Sequence, residues 1–344
     1  MGPIGASIDL TDVVRLASAL VDIDSTTGRE GDVVLWTATL LSQAGYEVLE
    51  QVVQGPRRNL YAAFGHADVV FSTHLDCVPP FFSSKLDGDK LYGRGSCDAK
   101  GAAASQIAAL ETLRRDGVTN VGLLLVVGEE RGSDGAKTAQ AFASGSKYLI
   151  NGEPTDNRLG VATRGILRVN LKAEGRAAHS SYPELGESAI EKLIDALVAL
   201  RGIELPDHPT MGRTHYTVGL INGGVAPNVI PAAAEAEVMF RTVGDLPQLR
   251  HSLKSLERWV RVEEVLEVPP ITMPSVPGFE TAAFPYTTDI PFLSKWGTPL
   301  LYGPGSINVA HTDEEHVNVA DLHKAVDGYV ALARHLFAQL ERKN

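Results

Sequence analysis

The sequence predicts an α/β protein in which a mostly parallel sheet domain carries an inserted ferredoxin-like α+β domain. Three observations support this fold class. The chain has 344 residues, which is more than one hydrophobic core usually serves. Its first half alternates helical segments with short strands that are apolar along their whole length, as in a parallel sheet covered on both faces. After Gly165 the strands alternate apolar and polar residues, which indicates a half-exposed sheet.

The first domain opens with two helices and continues as alternating strands and helices. Residues 10–21 and 31–44 repeat apolar positions at helical spacing, and Gly45 closes the second segment. A third helix, GAAASQIAALETLRRDG, is rich in strong helix formers and stops at Gly117. A fourth helix is predicted at SDGAKTAQAFAS. The strands between them read YEVLEQVV, NLYAAFG, VVFSTHL, VGLLLVVGEE and KYLINGE.

A second domain, residues 165–278, interrupts the first. Its segments follow the order β-α-β-β-α-β of the ferredoxin-like plan, and read ILRVNLKAEG, GESAIEKLIDALVALR, HYTVGLING, AAEAEVMFRTV, DLPQLRHSLKSLERWV and VRVEEVLEV. The proline-rich residues 269–278 lead out of it. Residues 279–344 hold a buried strand, TPLLYG, and a terminal helix from about Asp321, which is too little for a separate core. We therefore assign 1–164 and 279–344 to one domain.

Composition narrows the classes of partner. The formal net charge of −11 argues against nucleic acid, whose phosphates require a basic surface. No apolar run approaches the roughly 18 to 20 residues of a membrane span, and the N-terminal MGPIGASIDL lacks the basic and apolar regions of a signal peptide. Two cysteines, Cys77 and Cys97, form no disulfide framework. We expect a soluble cytoplasmic protein that binds neither nucleic acid nor membrane.

Polar side chains follow four of the predicted strands and one glycine-rich turn. One histidine at a strand end is more often structural than a ligand, and a pair of acids is usually a solvated turn. Four strands that end in this way favour a site, because ligands of open α/β sheets bind outside the carboxyl ends of the strands. The group consists of His74 and Asp76, Glu129 and Glu130, Glu153, His311, and Asp98 in the turn GRGSCDAKG.

Histidine and carboxylate without cysteine is a typical ligand set of a catalytic zinc or similar divalent ion. The charges suggest two ions: Asp98, Glu130 and Glu153 contribute −3, a bound hydroxide would add −1, and two zinc ions would balance the sum. Two such ions lower the pKa of a bridging water and polarise a carbonyl group. The sequence therefore predicts a site for two Zn²⁺, with Co²⁺ as an alternative.

The remaining acids have roles next to the ligands. Asp76 leaves its strand on the same face as His74, so its carboxylate can orient the imidazole ring. Glu129 and Glu130 are neighbours, and both can face one site only if the chain leaves the strand at Gly128. One of them would then be a ligand and the other the general base for the water.

Five segments resemble a family of co-catalytic di-zinc amidohydrolases and metallopeptidases that includes acetylornithine deacetylase, succinyl-diaminopimelate desuccinylase, aminoacylases and glutamate carboxypeptidases. They are THLDCVPP, GDKLYGRGSCDAKGAAA, GEERGSDGAK, NGEPTDN and YGPGSINVAHTDEEHV. The resemblance implies that His74 and Glu153 hold one metal, that Glu130 and His311 hold the other, and that Asp98 bridges them. It also implies Asp76 as the residue that orients His74, Glu129 as the general base, and a cis peptide bond between Asp98 and Ala99.

The resemblance extends to the inserted domain. It implies a homodimer joined through residues 165–278, in which His179 donates to the oxyanion in the partner's site. Arg241 lies in the otherwise apolar strand VMFRTV, and we predict that it binds the substrate carboxylate, for which a bidentate guanidinium is suited; the alternative is an arginine on the solvent face of that strand. Further candidates for the same pocket are Asn228, Arg164 and Tyr182.

Within the family, NGEPTDN resembles the deacetylase and desuccinylase branch, and SCDAKGAAA and YGPGSINVAHTDEEHV are most similar to acetylornithine and acetylcitrulline deacetylases. The predicted function is removal of an N-acyl group from an L-amino acid, with N-acetylornithine or N-acetylcitrulline as substrate, in arginine biosynthesis. Cys77 stands where the family usually has threonine, and Ala99 where a larger residue is usual. These departures remove no ligand but bear on the substrate.

Alternative functions keep the fold. They are a succinyl-diaminopimelate desuccinylase, a hydrolase for lysine or ornithine linked to a carrier protein, a dipeptidase or carboxypeptidase, and a catalytically silent small-molecule-binding homologue. A dinucleotide-binding domain is disfavoured, because GRGSCDAKG lacks the full G-x-G-x-x-G spacing and places Asp98 where an anion would bind.

Overall fold

The computed structural model describes residues 8–143, 145–244 and 246–342, so the first seven residues of the N-terminal segment considered above lie outside the description. The chain divides into two compact units. The larger comprises the described residues of Met1–Val161, Met273–Ala282 and Thr288–Asn344, and the smaller those of Ala162–Thr272 and Ala283–Thr287. Along the described chain, no helix is both long and apolar enough to cross a membrane.

The described residues form seven α-helices and twenty strands. The helices are α1 Val13–Val21, α2 Gly31–Gln43, α3 Lys100–Arg115, α4 Asp134–Ala139, α5 Ala189–Leu200, α6 Leu246–Leu253 and α7 Val319–Glu341. The strands are β1 Glu47–Gln54, β2 Arg57–Ala63, β3 Val69–His74, β4 Lys85–Asp87, β5 Lys90–Tyr92, β6 Val121–Val126, β7 Tyr148–Asn151, β8 Leu159–Thr163, β9 Gly165–Glu174, β10 Ala178–His179, β11 Asp207–His208, β12 Gly212–Arg213, β13 His215–Gly223, β14 Val229–Ile230, β15 Ala233–Thr242, β16 Arg261–Val268, β17 Ile271–Thr272, β18 Thr281–Phe284, β19 Thr298–Leu301 and β20 His316–Asn318.

The larger unit is built on a sheet whose strands lie in the order β1-β2-β6-β3-β7-β19-β8. The central strands β6, β3, β7 and β19 are parallel, whereas β1, β2 and β8 pair antiparallel at the two sides. Every residue of β3, β6 and β7 is buried, as expected for strands covered on both faces. The predicted α/β fold class with a mostly parallel sheet is confirmed.

Helices cover both faces of this sheet and form two separate cores. Alternate strand residues such as Phe71 and Leu125 face α1, α2, α3 and α7, and the others, such as Val70 and Leu124, face α4 and Trp296. Because β6, β3 and β7 are parallel and in register, their carboxyl ends reach the same edge.

The smaller unit contains a four-stranded antiparallel sheet in the order β13-β15-β9-β16. With α5 after β9 and α6 after β15, its elements follow the predicted ferredoxin-like plan. Two predicted helices are shorter than expected: in the larger unit α4 ends at Ala139 and continues as a 3₁₀ turn, Gln140–Phe142, and in the smaller unit α6 ends at Leu253 and continues as a 3₁₀ turn, Lys254–Arg258. The hydroxyl of Ser255 in this turn donates to the carbonyl of Ser252 in α6 at 2.7 Å. Such a local bond competes with the backbone hydrogen bonds of a regular α-helix.

Candidate metal centre

Five side chains from the carboxyl edge of the large sheet form two donor groups that share Asp98. We call His74, Asp98 and Glu153 the buried donor group, and Asp98, Glu130 and His311 the open donor group; in each, the ligand atoms lie within 4.8 Å of one another. His74 Nε2 lies 3.1 Å from Asp98 Oδ1 and 3.9 Å from Glu153 Oε2. His311 Nε2 lies 3.2 Å from Asp98 Oδ2 and 3.0 Å from Glu130 Oε1. Each carboxylate oxygen of Asp98 therefore faces one group.

The local structure of the chain positions these donors. His74 is the last residue of β3, and Glu153 follows the end of β7 by two residues. Asp98 precedes α3, and its bond to Ala99 is cis, which confirms that prediction. His311 lies in the loop after β19 with a positive φ of 64°, a conformation that is uncommon for residues other than glycine.

The electrostatics of the site show surplus negative charge. Burial raises the pKa of Glu153 well above its ordinary value, and burial with the neighbouring Asp98 also raises the pKa of Glu130. Burial opposes protonation of His74, but hydrogen bonds to Asp76 and Asp98 raise its pKa well above the usual range. Hydrogen bonds to Asp98 and Glu130 raise the pKa of His311 to about 10. Crowded acids beside histidines that favour the cationic form indicate a place for added positive charge.

A pair of divalent cations fits this donor set. Glu153 Oε1 is buried and has no hydrogen-bond partner, which leaves an acceptor available for a ligand inside the cluster. Imidazole and carboxylate donors without a thiolate suit zinc, cobalt and related ions. The two donor groups provide three protein donors each, counting Asp98 twice.

The two groups differ in their access to solvent. The side chains of His74 and Glu153 are 1% and 6% exposed, whereas the His311 side chain is 48% exposed. One donor group is therefore enclosed by the protein, and the other lies at the surface of the larger unit.

Asp76 contacts both His74 and the turn that follows β6. His74 Nδ1 donates to the carbonyl oxygen of Asp76 at 2.9 Å and lies 3.5 Å from its carboxylate, which leaves Nε2 free to bind a metal. The carboxylate accepts backbone N–H groups of Gly128, Glu129 and Glu130 at 2.8, 3.1 and 3.3 Å. Asp76 thus contacts the imidazole ring more closely through its backbone carbonyl than through the carboxylate that the sequence suggested, and its carboxylate anchors the turn of the two glutamates.

This turn directs Glu129 and Glu130 to different places. Gly128 has a φ of 79°, and a 3₁₀ turn, Glu129–Arg131, begins directly after it, so the chain leaves the strand as the sequence requires. Glu130 points to His311, and neither donor group includes Glu129 among the described residues. Burial raises the pKa of Glu129 well above its ordinary value, which suits a group that exchanges protons near neutral pH.

Two buried acids near the site escaped sequence reasoning. Asp289 is 1% exposed and its Oδ1 has no partner; burial raises its pKa to about 6, and its charge raises the pKa values of Glu129 and Glu153. Glu315 is fully buried and holds the loop of Asp98. An isolated acid directly before an apolar run, as in TTDIPF, is the one signal that points to Asp289. Glu315 lies in the segment HTDEEHV, in which the sequence pattern singles out only His311.

The predicted residues of the inserted domain form two local groups in the smaller unit. His179, Tyr182 and Asn228 are exposed, and Ser180 N donates to the Asn228 carbonyl while Tyr182 N donates to the His179 carbonyl. The other group consists of Arg164 and Arg241, which both contact His215, Arg164 through its side chain and Arg241 through backbone pairing.

Both arginines of the second group are partly buried. The Arg241 backbone pairs with His215 across β13 and β15, and burial lowers the pKa of the Arg241 guanidinium. The Arg164 guanidinium lies 3.0 Å from His215 Nδ1 and donates to the carbonyls of Met211 and Arg213. The Arg164 guanidinium is therefore already hydrogen-bonded within the unit. For the Arg241 guanidinium, burial is the one influence on the pKa, with no contribution from an acid among the described residues.

Comparison with known proteins places these features in a family. Residues 65–335 match the sequence profile of Peptidase family M20/M25/M40. A peptidase M20 domain-containing protein of Schizosaccharomyces pombe is 37% identical over 92% of this chain and 83% of its own length. A probable carboxypeptidase of Aspergillus clavatus is 35% identical over 97% of this chain and 85% of its own length.

Solved structures with low sequence identity share the fold. A tripeptidase of Staphylococcus aureus matches with a TM-score of 0.79 and 18% identity, covering 94% of this chain and 98% of the other. A dinuclear metal-binding peptidase of the M20 family from Bacillus subtilis matches with a TM-score of 0.70 and 14% identity, over 94% and 98% of the two chains.

Proposed function

Because this chain belongs to Peptidase family M20/M25/M40, we propose that it is a hydrolase with two metal ions that cleaves a linear amide whose nitrogen belongs to an L-amino acid. The observation that supports this best is the shared carboxylate of Asp98, whose two oxygens face His74 on one side and His311 on the other. Two zinc ions, or cobalt, would polarise the amide carbonyl and lower the pKa of a water between them.

The residues around that water have two kinds of role, as metal ligands and as a general base. His74 and Glu153 would hold one ion, Glu130 and His311 the other, and Asp98 both. Glu129 lies on the anchored turn but outside both donor groups, so we assign it as the base that takes the proton of the water. It then returns this proton to the leaving amine, as a group with a raised pKa can.

The proposed substrate is an N-acyl-L-amino acid with a free carboxylate, first of all N-acetylornithine or N-acetylcitrulline in arginine biosynthesis in the cytoplasm. Arg241 is the candidate for the carboxylate, because its guanidinium is partly buried and a bidentate partner would offset the cost of burial. Asn228 and Tyr182 are secondary candidates. Arg164 is the weakest, since its guanidinium already binds backbone carbonyls.

A carboxypeptidase or dipeptidase is the second candidate. The relative in Aspergillus clavatus bears the name of a probable carboxypeptidase, and the similar structure from Staphylococcus aureus is called a tripeptidase. A carboxypeptidase also breaks an amide whose nitrogen belongs to an amino acid with a free carboxylate. The two candidates therefore differ in the acyl side of the substrate.

A substrate panel separates these functions. Metal-loaded protein is assayed with N-acetylornithine, N-acetylcitrulline, succinyl-diaminopimelate, carrier-linked lysine, dipeptides and N-blocked dipeptides, with Glu129→Ala as the matched background. We expect the highest kcat/KM for an acetylated amino acid, and a substantially raised KM in Arg241→Lys. Preference for peptides by more than about tenfold would replace the deacetylase proposal by the carboxypeptidase, and no turnover of any substrate would support a silent binding protein.

We also propose a homodimer joined through the inserted domain. Strand β13 lies at the edge of its sheet, and it exposes Leu220 and Ile221 at 59% and 61%. Helix α5 exposes Ile194 and Val198 at 47% and 59%. An edge strand and an apolar helix face are surfaces that a second copy can cover.

In such a dimer His179 would donate to the oxyanion in the partner's site. Loss of one oxyanion donor typically lowers kcat by about 10²- to 10³-fold. Mixing His179→Ala with Glu129→Ala should restore activity, because a hybrid dimer contains one intact site. The molar mass from light scattering verifies the dimer, and an inactive mixture after proven subunit exchange would exclude action in trans.

A further inference from the structure

Glu315 is a fully buried carboxylate that binds the loop in front of α3. Its Oε1 accepts the backbone N–H groups of Gly95, Cys97 and Asp98 at 2.9, 3.2 and 3.1 Å. Its Oε2 accepts Arg94 Nη1 at 2.6 Å. One carboxylate thus satisfies three backbone donors of the loop that ends in the shared ligand Asp98.

Arg94, which forms the ion pair with Glu315, also contacts a third segment, the loop after His74. Its side chain is 1% exposed, its Nε donates to the carbonyl of Pro80 at 3.1 Å, and the guanidinium lies 5.0 Å from the ring centroid of Phe82. The ion pair therefore joins the loop of Asp98, the loop after His74, and the loop that contains His311. A buried pair of this kind is weak evidence for stability alone, which suggests another use.

Glu315 lies four residues after His311 in the chain, and it accepts a hydrogen bond from the backbone of Asp98. His311 and Asp98 both belong to the open donor group, in which His311 Nε2 and Asp98 Oδ2 are 3.2 Å apart. We infer that Glu315 is a positioning residue that fixes the spacing of Asp98 and His311, and thereby the affinity of the open donor group for its metal ion. The inference rests on the proposed function, since it needs two metal positions.

The inference predicts an unequal effect on the two ions. Asp98 belongs to both groups, but it is the only residue of the buried donor group that Glu315 holds, because His74 and Glu153 are placed by β3 and β7. In Glu315→Gln the amide nitrogen and the Arg94 guanidinium are both donors, so the pair breaks and the loop can shift. Loss of an outer hydrogen-bond partner typically weakens metal binding by about 10- to 100-fold. This loss should be larger for the ion of the open donor group, because two of its three ligands, Asp98 and His311, are spaced by Glu315.

The test is a stepwise Co²⁺ titration of metal-free protein, in which binding is measured by calorimetry and by visible absorption. Glu315→Gln is compared with Glu314→Gln, the exposed neighbour. We expect Glu315→Gln to bind the second ion at least about tenfold more weakly, with a smaller loss for the first ion, and Glu314→Gln to bind both ions as the wild type does. Arg94→Lys keeps the charge and loses the bond to Pro80, and it replaces Glu315→Gln if that variant does not fold.

The possible outcomes separate the two levels of the proposal. If both ions weaken equally, or if neither changes, Glu315 does not position the open donor group. If the wild type itself binds only one ion, the proposed function with two metals fails and the inference with it. Two ions in the wild type with an unequal loss in Glu315→Gln support both, whatever the substrate proves to be.

Discussion

The buried and open donor groups use the same kinds of side chain but depend on different parts of the fold. In the buried group, His74 ends β3 and Glu153 follows β7, and these strands are parallel neighbours. In the open group, Glu130 lies on a 3₁₀ turn and His311 on a loop with positive φ. The sheet alone brings the first pair together, whereas the second pair requires anchors.

The anchors of the open group are two buried carboxylates with the same hydrogen-bonding pattern. Asp76 accepts three backbone N–H groups from the turn of Glu130, and Glu315 accepts three from the loop of Asp98. The hydrogen bond and charge of His74, with smaller contributions from Thr27 and the Glu129 N–H, lower the pKa of Asp76 despite its burial, whereas burial raises the pKa of Glu315. Loop residues of the open group are thus held through backbone hydrogen bonds to buried carboxyl groups.

The largest expected effect separates chemistry from metal binding. Glu129→Ala should retain both ions, because Glu129 belongs to neither donor group, and lose about 10²- to 10⁴-fold in kcat, as expected for a general base. Glu130→Ala should lose the ion of the open group. Metal analysis is run beside kinetics for both variants. A Glu129→Ala protein with wild-type kcat would contradict the assignment of the base.

A smaller effect tests the difference between the groups directly. His74→Ala and His311→Ala each remove one imidazole, but only His311 is exposed, at 48% against 1%. We expect a chelator to remove the open ion of the wild type first and the buried ion much more slowly. His311→Ala should retain the slow phase and His74→Ala should lose it. Release is followed with a coloured chelator, and a single phase in the wild type would mean that the groups are equivalent.

The smallest effect concerns the stability of the metal-free protein. The pKa of Asp289 is raised to about 6 from 3.8, so the folded state binds a proton more tightly than the unfolded state, and this contribution to stability is lost as the pH rises through about 6. Asp289→Asn should therefore be more stable relative to the wild type at pH 7.5 than at pH 5, by about 1 to 2 kcal/mol. Urea unfolding at both pH values measures it, with Asp313→Asn, an exposed acid, as control. An equal difference at both pH values would show that Asp289 does not titrate in this range.

The sequence allowed the strand ends to be located because a fully apolar strand followed by a histidine or acid is a local pattern. His74, Glu130 and Glu153 were found in this way. The anchors leave no such pattern, because the partners of Glu315 lie 217 to 221 residues away in the chain. A backbone N–H has no residue identity that a sequence could reveal. Asp76 was recognised as the partner of His74, but its bonds to the turn of Glu130 depend on the pairing of β3 with β6.

The long separation between Glu315 and the loop of Asp98 has a consequence for biosynthesis. All three residues of the buried donor group have been translated by residue 153, whereas Glu315 follows Asp98 by 217 residues. At about 5 to 20 residues per second, this interval lasts roughly 10 to 40 s. The ligands of the buried donor group are therefore translated early, but the core that encloses them also contains residues of β19 and α7, which come after residue 297. Because domains generally fold as units, both metal positions would form only after this later segment has been synthesised.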